Sequence, residues 1–316
     1  MPAIASVIIA AYNAEAFIGA AVQSALRQTM RDLEVLVIDD GSCDGTAPMA
    51  VAAAAGDPRF RLFVRPVNAG VSAARNVALR EAHGRWIAVL DADDTFAPDR
   101  LERLIDAAEA LDADLLADNI TLVYPDARTA AAFAIPLRDM RRPLDARRFI
   151  ALDTPGLETL PAGFIKPIMR RAFLNRFDLR YPEDICSGED FDLYVRCLVR
   201  GARLFVVPES YYLALVRPDS LSRAHPERNN AALMRSLQTL IADAVQLGNR
   251  GAARMLSRRA HDLSSYGEYS RLSAALHARR FVDAVRIFRR LARGSYLWRR
   301  FGMAARRRGM PRATTS

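Results

Sequence analysis

Glu34-Val35-Leu36-Val37-Ile38-Asp39-Asp40-Gly41-Ser42-Cys43-Asp44-Gly45-Thr46 is the stretch that decides the fold. An apolar run rich in β-branched residues stops on two adjacent acids, and a glycine-containing turn leads into a helical stretch. The same rhythm recurs on either side. Ser6–Ala11, Glu34–Ile38, Phe60–Val64, Trp86–Leu90 and Leu115–Val123 read as strands. Between them, Ala14–Gln28 puts Ile18, Val22 and Ala25 on one helical face, and Pro98–Leu111 opens with a proline suited to a first helical turn. Strands alternating with helices over the first 123 residues predict an α/β domain with a parallel sheet flanked by helices. Ligands of such open sheets collect beyond the carboxyl ends of the strands, where Asp39 and Asp40 follow the second strand and Asp91, Asp93 and Asp94 the fourth.

The rest of the chain is less regular. Residues 124 to 185 carry scattered prolines and read as loop-rich; a helix returns over Ser187–Arg200, with Phe191, Val195 and Leu198 on one face. Beyond Pro226 the pattern is helical, with breaks expected near Gly248, Gly267 and Gly294. A chain of 316 residues with 51% hydrophobic residues can form one large domain, or a main domain and a smaller appendage. Asn13 and Glu15 interrupt the most apolar N-terminal stretch and no basic segment precedes it, so neither a spanning helix nor a secretory signal is expected, and the predicted location is cytoplasmic. Cys43, Cys186 and Cys197 form no CxxC pair and no spaced set, against a zinc site or a disulfide framework.

The formal charge is +9 with pI ≈ 10.0. Most of the excess lies at the end, where twelve arginines from Arg279 to Arg312 face one acid, Asp283. A nucleic-acid partner is not expected, because the acids after strands two and four would repel phosphate in the absence of a cation. Lys166 is the only lysine in the chain.

Five fragments carry candidate chemistry. Ser6–Asn13 ends a buried strand with Tyr12 and Asn13, an aromatic and an amide suited to a flat base and its polar edge. In Asp39-Asp40-Gly41-Ser42 a carboxylate can accept a uracil N3–H; equally, Asp44 or Thr46 caps a helix and the fragment is only a turn. Asn68-Ala69-Gly70-Val71-Ser72-Ala73-Ala74-Arg75-Asn76 offers a guanidinium to a diphosphate or a base edge, or else a surface arginine. Asp91-Ala92-Asp93-Asp94 closes an apolar strand with acids that repel one another unless a hard cation such as Mg²⁺ or Mn²⁺ joins them. Helix capping by Asp94 or Asp99 would account for those two acids, not for Asp91 and Asp93. In Ser187-Gly188-Glu189-Asp190-Phe191-Asp192, Asp190 can serve as a general base, while Glu189 or Asp192 can serve a helix N-terminus.

In this order, SVIIAAYN, VIDDGSCDGT, NAGVSAARN, DADD and GED, the set resembles family 2 glycosyltransferases, inverting enzymes of GT-A fold that build bacterial polysaccharides. The resemblance covers roughly residues 4 to 222 and resides in the ordered set, since each short string recurs by chance. It implies a GT-A nucleotide-diphospho-sugar transferase domain over residues 1–222, with a nucleotide-binding half (1–123) and an acceptor side bearing the base (124–222). It further implies a nucleotide-sugar donor such as a UDP-sugar, a glycan or lipid-linked saccharide acceptor, and Mg²⁺ or Mn²⁺. Carried over by residue, Ala11, Tyr12, Asn13, Glu15, Asp39 or Asp40, Arg75, Asp91 and Ala92 are expected to bind the nucleotide sugar. Asp93, with Asp91, is expected to hold the metal, and Asp190 to act as base, with Glu189 near the diphosphate or the acceptor.

Two positions depart from the family pattern. Ala10 stands where the family usually has proline, and Arg217 stands in Val216–Ser222 where many relatives carry histidine, so a histidine metal contact does not carry over and Arg217 is instead expected near the diphosphate. Residues 223–316 lie outside the resemblance and read as a helical, arginine-rich region. There Phe281, Val285 and Phe288 share a helical face while Arg286, Arg289, Arg290 and Arg293 cover others. Such a basic amphipathic helix suits peripheral contact with an anionic inner membrane, or a solvated helical bundle. A non-catalytic nucleotide-sugar binder is the alternative reading of the main domain. A dinucleotide oxidoreductase is disfavoured because no G-x-G-x-x-G follows the first strand.

Overall fold

The computed structural model describes residues 3–132, 142–153, 161–217, 230–277 and 281–292. The chain divides into two compact units, Met1–Met255 and Leu256–Ser316. The first is built on one nine-stranded sheet. Its parallel half consists of β1 (Ala5–Ala11), β2 (Leu33–Asp39), β3 (Phe60–Val64) and β4 (Trp86–Val89), in the order β3-β2-β1-β4. All seven residues of β2 are buried, and Val7, Ile8 and Ile9 of β1 are fully so, the apolar reading expected of strands covered on both faces. Each buried Val, Leu or Ile side chain contributes about 1.5–3 kcal/mol by leaving water. Helices α1 (Ile18–Leu26), α2 (Thr46–Ala54), α3 (Val71–Glu81) and α4 (Arg100–Ala110) follow the strands, and Ile18, Ala21, Val22 and Ala25 form the buried face of α1.

The order reverses at β1: the chain moves outward to β2 and β3, then returns to β4 on the other side. In open α/β sheets such a reversal is where ligands collect, beyond the carboxyl ends of the strands. Beyond β4 the sheet is mixed. β8 (Ile168–Arg170) runs antiparallel between β4 and β6 (Leu115–Val123), β6 lies parallel to the long β9 (Leu204–Leu215), β5 (Thr95–Phe96) pairs antiparallel with β9, and β7 (Thr129–Ala131) with β6.

The five strands read from sequence are present, with ends shifted by a residue at most. The region read as loop-rich holds β7, α5 (Ala146–Leu152), β8 and α6 (Arg171–Arg176); β8 is a three-residue strand defined by pairing with the distant β4 and β6 more than by local pattern. After α7 (Glu189–Val199) and β9 come α8 (Asn230–Gln246), α9 (Arg250–His277) and α10 (Phe281–Ala292). Gly248 separates α8 from α9 with φ +74°, as expected of a helix break. Gly267 does not interrupt α9: one interior glycine costs only about 1 kcal/mol relative to alanine. Gly294 lies outside the described residues. On α10, Phe281, Val282, Val285 and Phe288 are exposed. Among the described residues no helix is long and apolar enough to cross a membrane.

Candidate active site

Three strand ends and the start of α7 define the site. At β1, Ala11 is buried and its carbonyl accepts from the Asp40 amide at 2.8 Å, while Tyr12 beyond it is 47% exposed. Asn13 has φ +48°; its amide donates to the Ser42 hydroxyl at 2.9 Å and its side-chain oxygen accepts from the Cys43 amide at 2.9 Å. Glu15 accepts from the Gly45 amide at 2.9 Å and donates its own amide to Asp44 at 3.1 Å. Asn13 and Glu15 therefore stitch the loop after β1 to the loop after β2. Tyr12 keeps an exposed ring.

At β2 the two acids diverge. Asp39 Oδ1 accepts from the Ser42 amide at 3.0 Å and closes the turn. Asp40, 2% exposed, pairs with Arg65 and accepts from the Gly70 amide at 2.7 Å and the Ala69 amide at 3.1 Å. Gly41 has φ +73°, and a Cβ there would lie 2.8 Å from the Val67 carbonyl carbon, so only glycine lets this loop pass the chain before α3. Asp44, one residue before the Gly45 N-cap of α2, accepts from the Thr46 amide at 3.0 Å.

The third end gathers the charge. Arg75, on α3 and 3% exposed, donates to Asp91 Oδ1 at 2.7 Å, Glu189 Oε1 at 3.0 Å and Asp190 Oδ1 at 3.1 Å, with its guanidinium 5.1 Å from the Tyr181 ring centroid. One buried fork thus joins acids that lie about a hundred residues apart in the chain. Lys166 completes the cluster, its ammonium 2.7 Å from Asp190 Oδ2 and 3.0 Å from Asp91 Oδ2. Glu189 and Asp190 do not cap α7. The N-cap is Gly188, in the left-handed region, and Asp192 turns away to Arg196 and Ser236.

The electrostatics fit a site that wants a cation. Burial opposes ionisation of Asp91, but Lys166 and Arg75 overcome it and hold that carboxyl well below the usual range. Asp93 has Arg217 at 3.2 Å, yet burial first and Asp91 second raise its carboxyl. Burial, then Asp91 and Asp93, push Asp94 up to about 8, although Tyr212 donates to it at 2.8 Å and the Leu215 amide at 2.9 Å. Glu189 is raised by burial and by Asp190. Ala92, partly exposed, separates Asp91 from Asp93. Arg217 also lies 4.5 Å from the Phe17 ring centroid.

Among the described residues, no group of three or more His, Cys, Asp or Glu side chains is arranged to hold a metal ion. The donor set nonetheless suits a hard divalent ion of the kind that takes one or two carboxylates and fills its shell with phosphate oxygens and water. Asp93 fits that description, its carboxyl raised by burial and by Asp91, whereas the two oxygens of Asp91 already meet Arg75 and Lys166 and would share those partners with a cation.

Lys166 was not among the residues singled out from sequence. Its one signal was composition, as the sole lysine among 45 basic residues. Tyr181, Tyr194 and Tyr212, buried around the acids, carry no sequence signal that separates them from core aromatics.

A glycosyl transferase family 2 model matches residues 6–173. The succinoglycan biosynthesis protein ExoO of Rhizobium meliloti (strain 1021) is 39% identical over 216 residues, covering 68% of this chain and 62% of that protein. ExoU of the same organism is 41% identical over 222 residues, covering 69% and 64%. The chain thus spans a little less than two thirds of the length of these relatives. Among solved structures, S. aureus TarS 1-349 in complex with UDP-GlcNAc superposes with a TM-score of 0.64 at 22% identity, covering 80% of this chain and 72% of that one. That likeness concerns the fold, which is of GT-A type, with a helical C-terminal region. With more than half its length matched by the family model, the chain belongs to glycosyl transferase family 2.

Proposed function

We propose that the protein transfers a sugar, with inversion, from a nucleoside diphosphate sugar such as a UDP-sugar to a hydroxyl of a growing, lipid-linked polysaccharide. The observation that carries this reading is the Arg75 fork, which gathers Asp91 from the end of β4 with Glu189 and Asp190 from the start of α7. Donor-side and acceptor-side carboxylates then lie within one guanidinium's reach, and Tyr12 at the end of β1 is exposed.

In this reading Tyr12 stacks on the base, and Asp39 or Asp40 reads its edge. Asp40 must then exchange part of its bonding to Arg65 and the loop at Ala69 and Gly70. Asp93 and Asp91 would hold Mg²⁺ or Mn²⁺, which when bound neutralises charge on the departing nucleoside diphosphate. Arg217, partnered to Asp93, is within reach of the same phosphates. Asp190 takes the proton of the acceptor hydroxyl as its oxygen bonds to the anomeric carbon, and the electron pair of the broken C–O bond leaves with the nucleoside diphosphate. Glu189 orients the acceptor.

Residues 1–222 form the transferase domain of this proposal and 223–316 its helical appendage. The exposed Phe281, Val282, Val285 and Phe288 of α10, in a region rich in arginine, support peripheral docking on the cytoplasmic face of an anionic membrane, where a lipid-linked acceptor resides. The test is Asp190→Asn assayed with UDP-sugars and Mn²⁺. UDP binding by calorimetry should persist while transfer falls by roughly 10²–10⁴-fold. Transfer by the variant at the wild-type rate would refute the assignment of the base.

A further inference from the structure

In a chain whose other 44 basic residues are arginine, Lys166 is set apart by where it sits as well as by what it is. It lies two residues before β8, and its carbonyl accepts from Arg100 Nη2 at 2.6 Å. Arg100 is itself fixed by a buried ion pair with Asp118 at 2.8 Å, the two side chains 0% and 1% exposed. The backbone that carries Lys166 is therefore anchored by α4 and β6.

Its side chain, 8% exposed, reaches forward to the acids. The two oxygens of Asp190 are held from different elements. Oδ1 meets Arg75 at 3.1 Å and the Tyr194 hydroxyl at 3.4 Å, while Oδ2 meets Lys166 at 2.7 Å. Arg75 divides its donors among three carboxylates, whereas Lys166, shared with Asp91 alone, makes the shorter bond to Asp190 and holds Oδ2. The terminal torsion of an aspartate is broad, so a carboxylate held at one oxygen by a shared donor can swing. A second, independent anchor removes that freedom. An ammonium suits the role better than a guanidinium, being a compact charge with three donors that fits between two carboxylates where a planar fork needs more width.

We propose that Lys166 is a positioning residue for Asp190: its ammonium fixes Oδ2 and so sets the orientation in which Asp190 takes the acceptor proton. The role rests on the transferase reading above, and it acts chiefly on turnover, the same ammonium also meeting Asp91 Oδ2 at 3.0 Å.

The experiment uses the full chain with Mn²⁺ and UDP-glucose, UDP-galactose or UDP-N-acetylglucosamine, whichever the wild type turns over fastest. Lys166→Met is expected to lower kcat by roughly 100-fold with the donor KM within about threefold, since misorientation forfeits much of what a general base supplies. n-Propylammonium added to Lys166→Ala should restore at least about tenfold of the lost rate. In an Asp190→Asn background, Lys166→Met should lower kcat clearly less than it does in the wild type, the remaining loss being that of its contact with Asp91. If Lys166→Met does not fold, Lys166→Arg carries the test: a kcat at least about fivefold below wild type with KM kept supports the role, and wild-type kcat overturns it. Lys166→Met with wild-type kcat, a change confined to KM, or an equal loss in the Asp190→Asn background each overturns the proposal. No turnover of any of the three donors by the wild type overturns the transferase reading for UDP-sugars, and this proposal with it.

Discussion

Replacing Arg75 with leucine tests whether the cluster of acids depends on one buried fork. The guanidinium is 3% exposed and lies within 3.1 Å of Asp91, Glu189 and Asp190. Removing one partner of a buried ion pair costs about 3–5 kcal/mol, because the charges left behind are neither paired nor solvated. Lys166 still meets Asp91 and Asp190, which places the expected loss near the lower end, at about 3 kcal/mol. In a protein of this size each kcal/mol shifts the melting temperature by about 2–4 °C, so Arg75→Leu should melt roughly 6–12 °C below wild type at pH 7. Circular dichroism melts at low and high salt provide the assay, and the loss should change little with salt, since buried pairs are weakly screened. Arg75→Lys should fall between the two, its ammonium lacking the fork that spans three carboxylates. Adding Glu189→Gln to Arg75→Leu should return part of the loss by removing one uncompensated acid. A melting temperature within 2 °C of wild type for Arg75→Leu, or strict additivity with Glu189→Gln, would show that the acids do not rely on Arg75.

Three further outcomes follow. Burial alone would raise the Glu34 carboxyl, but hydrogen bonds from Ser6 and His83 hold it below its ordinary value of 4.5. Its contribution to stability is therefore present above that pH and lost as pH falls through the lowered folded value, so urea midpoints should drop more steeply for wild type than for Glu34→Gln below about pH 4.5. Parallel curves would contradict this. Burial pushes the Cys197 thiol up to about 12, while Cys43 and Cys186 are exposed; a thiol reagent should therefore count two fast groups in the native protein and a third only on unfolding. Flotation with anionic liposomes at low salt should carry intact protein upward, and Phe281→Ser/Phe288→Ser should weaken it. No association by wild type would remove the docking reading.

Capping by Asp44 or Thr46 is one reading of the turn after β2; in the structure Gly45 is the N-cap of α2 without a side-chain bond, Asp44 accepts from the Thr46 amide, and Asp39 and Asp40 have separate partners. Asn13, read as a polar contact at a strand end, and Glu15, expected from the resemblance, also join two loops whose closeness no local pattern reveals.

The sequence by itself determined the parallel half of the sheet and the strand-end acids, because short apolar runs bounded by turn residues are local signals that survive without tertiary information. It also determined family membership through five short strings in fixed order. Only the tertiary structure decided that β8 inserts antiparallel between β4 and β6, since a three-residue strand is defined by its neighbours. That insertion delivers Lys166 to Asp91 and Asp190. Burial does the rest: the same carboxylates that would be ordinary at the surface become mutually dependent once Arg75 and Lys166 are their partners away from water.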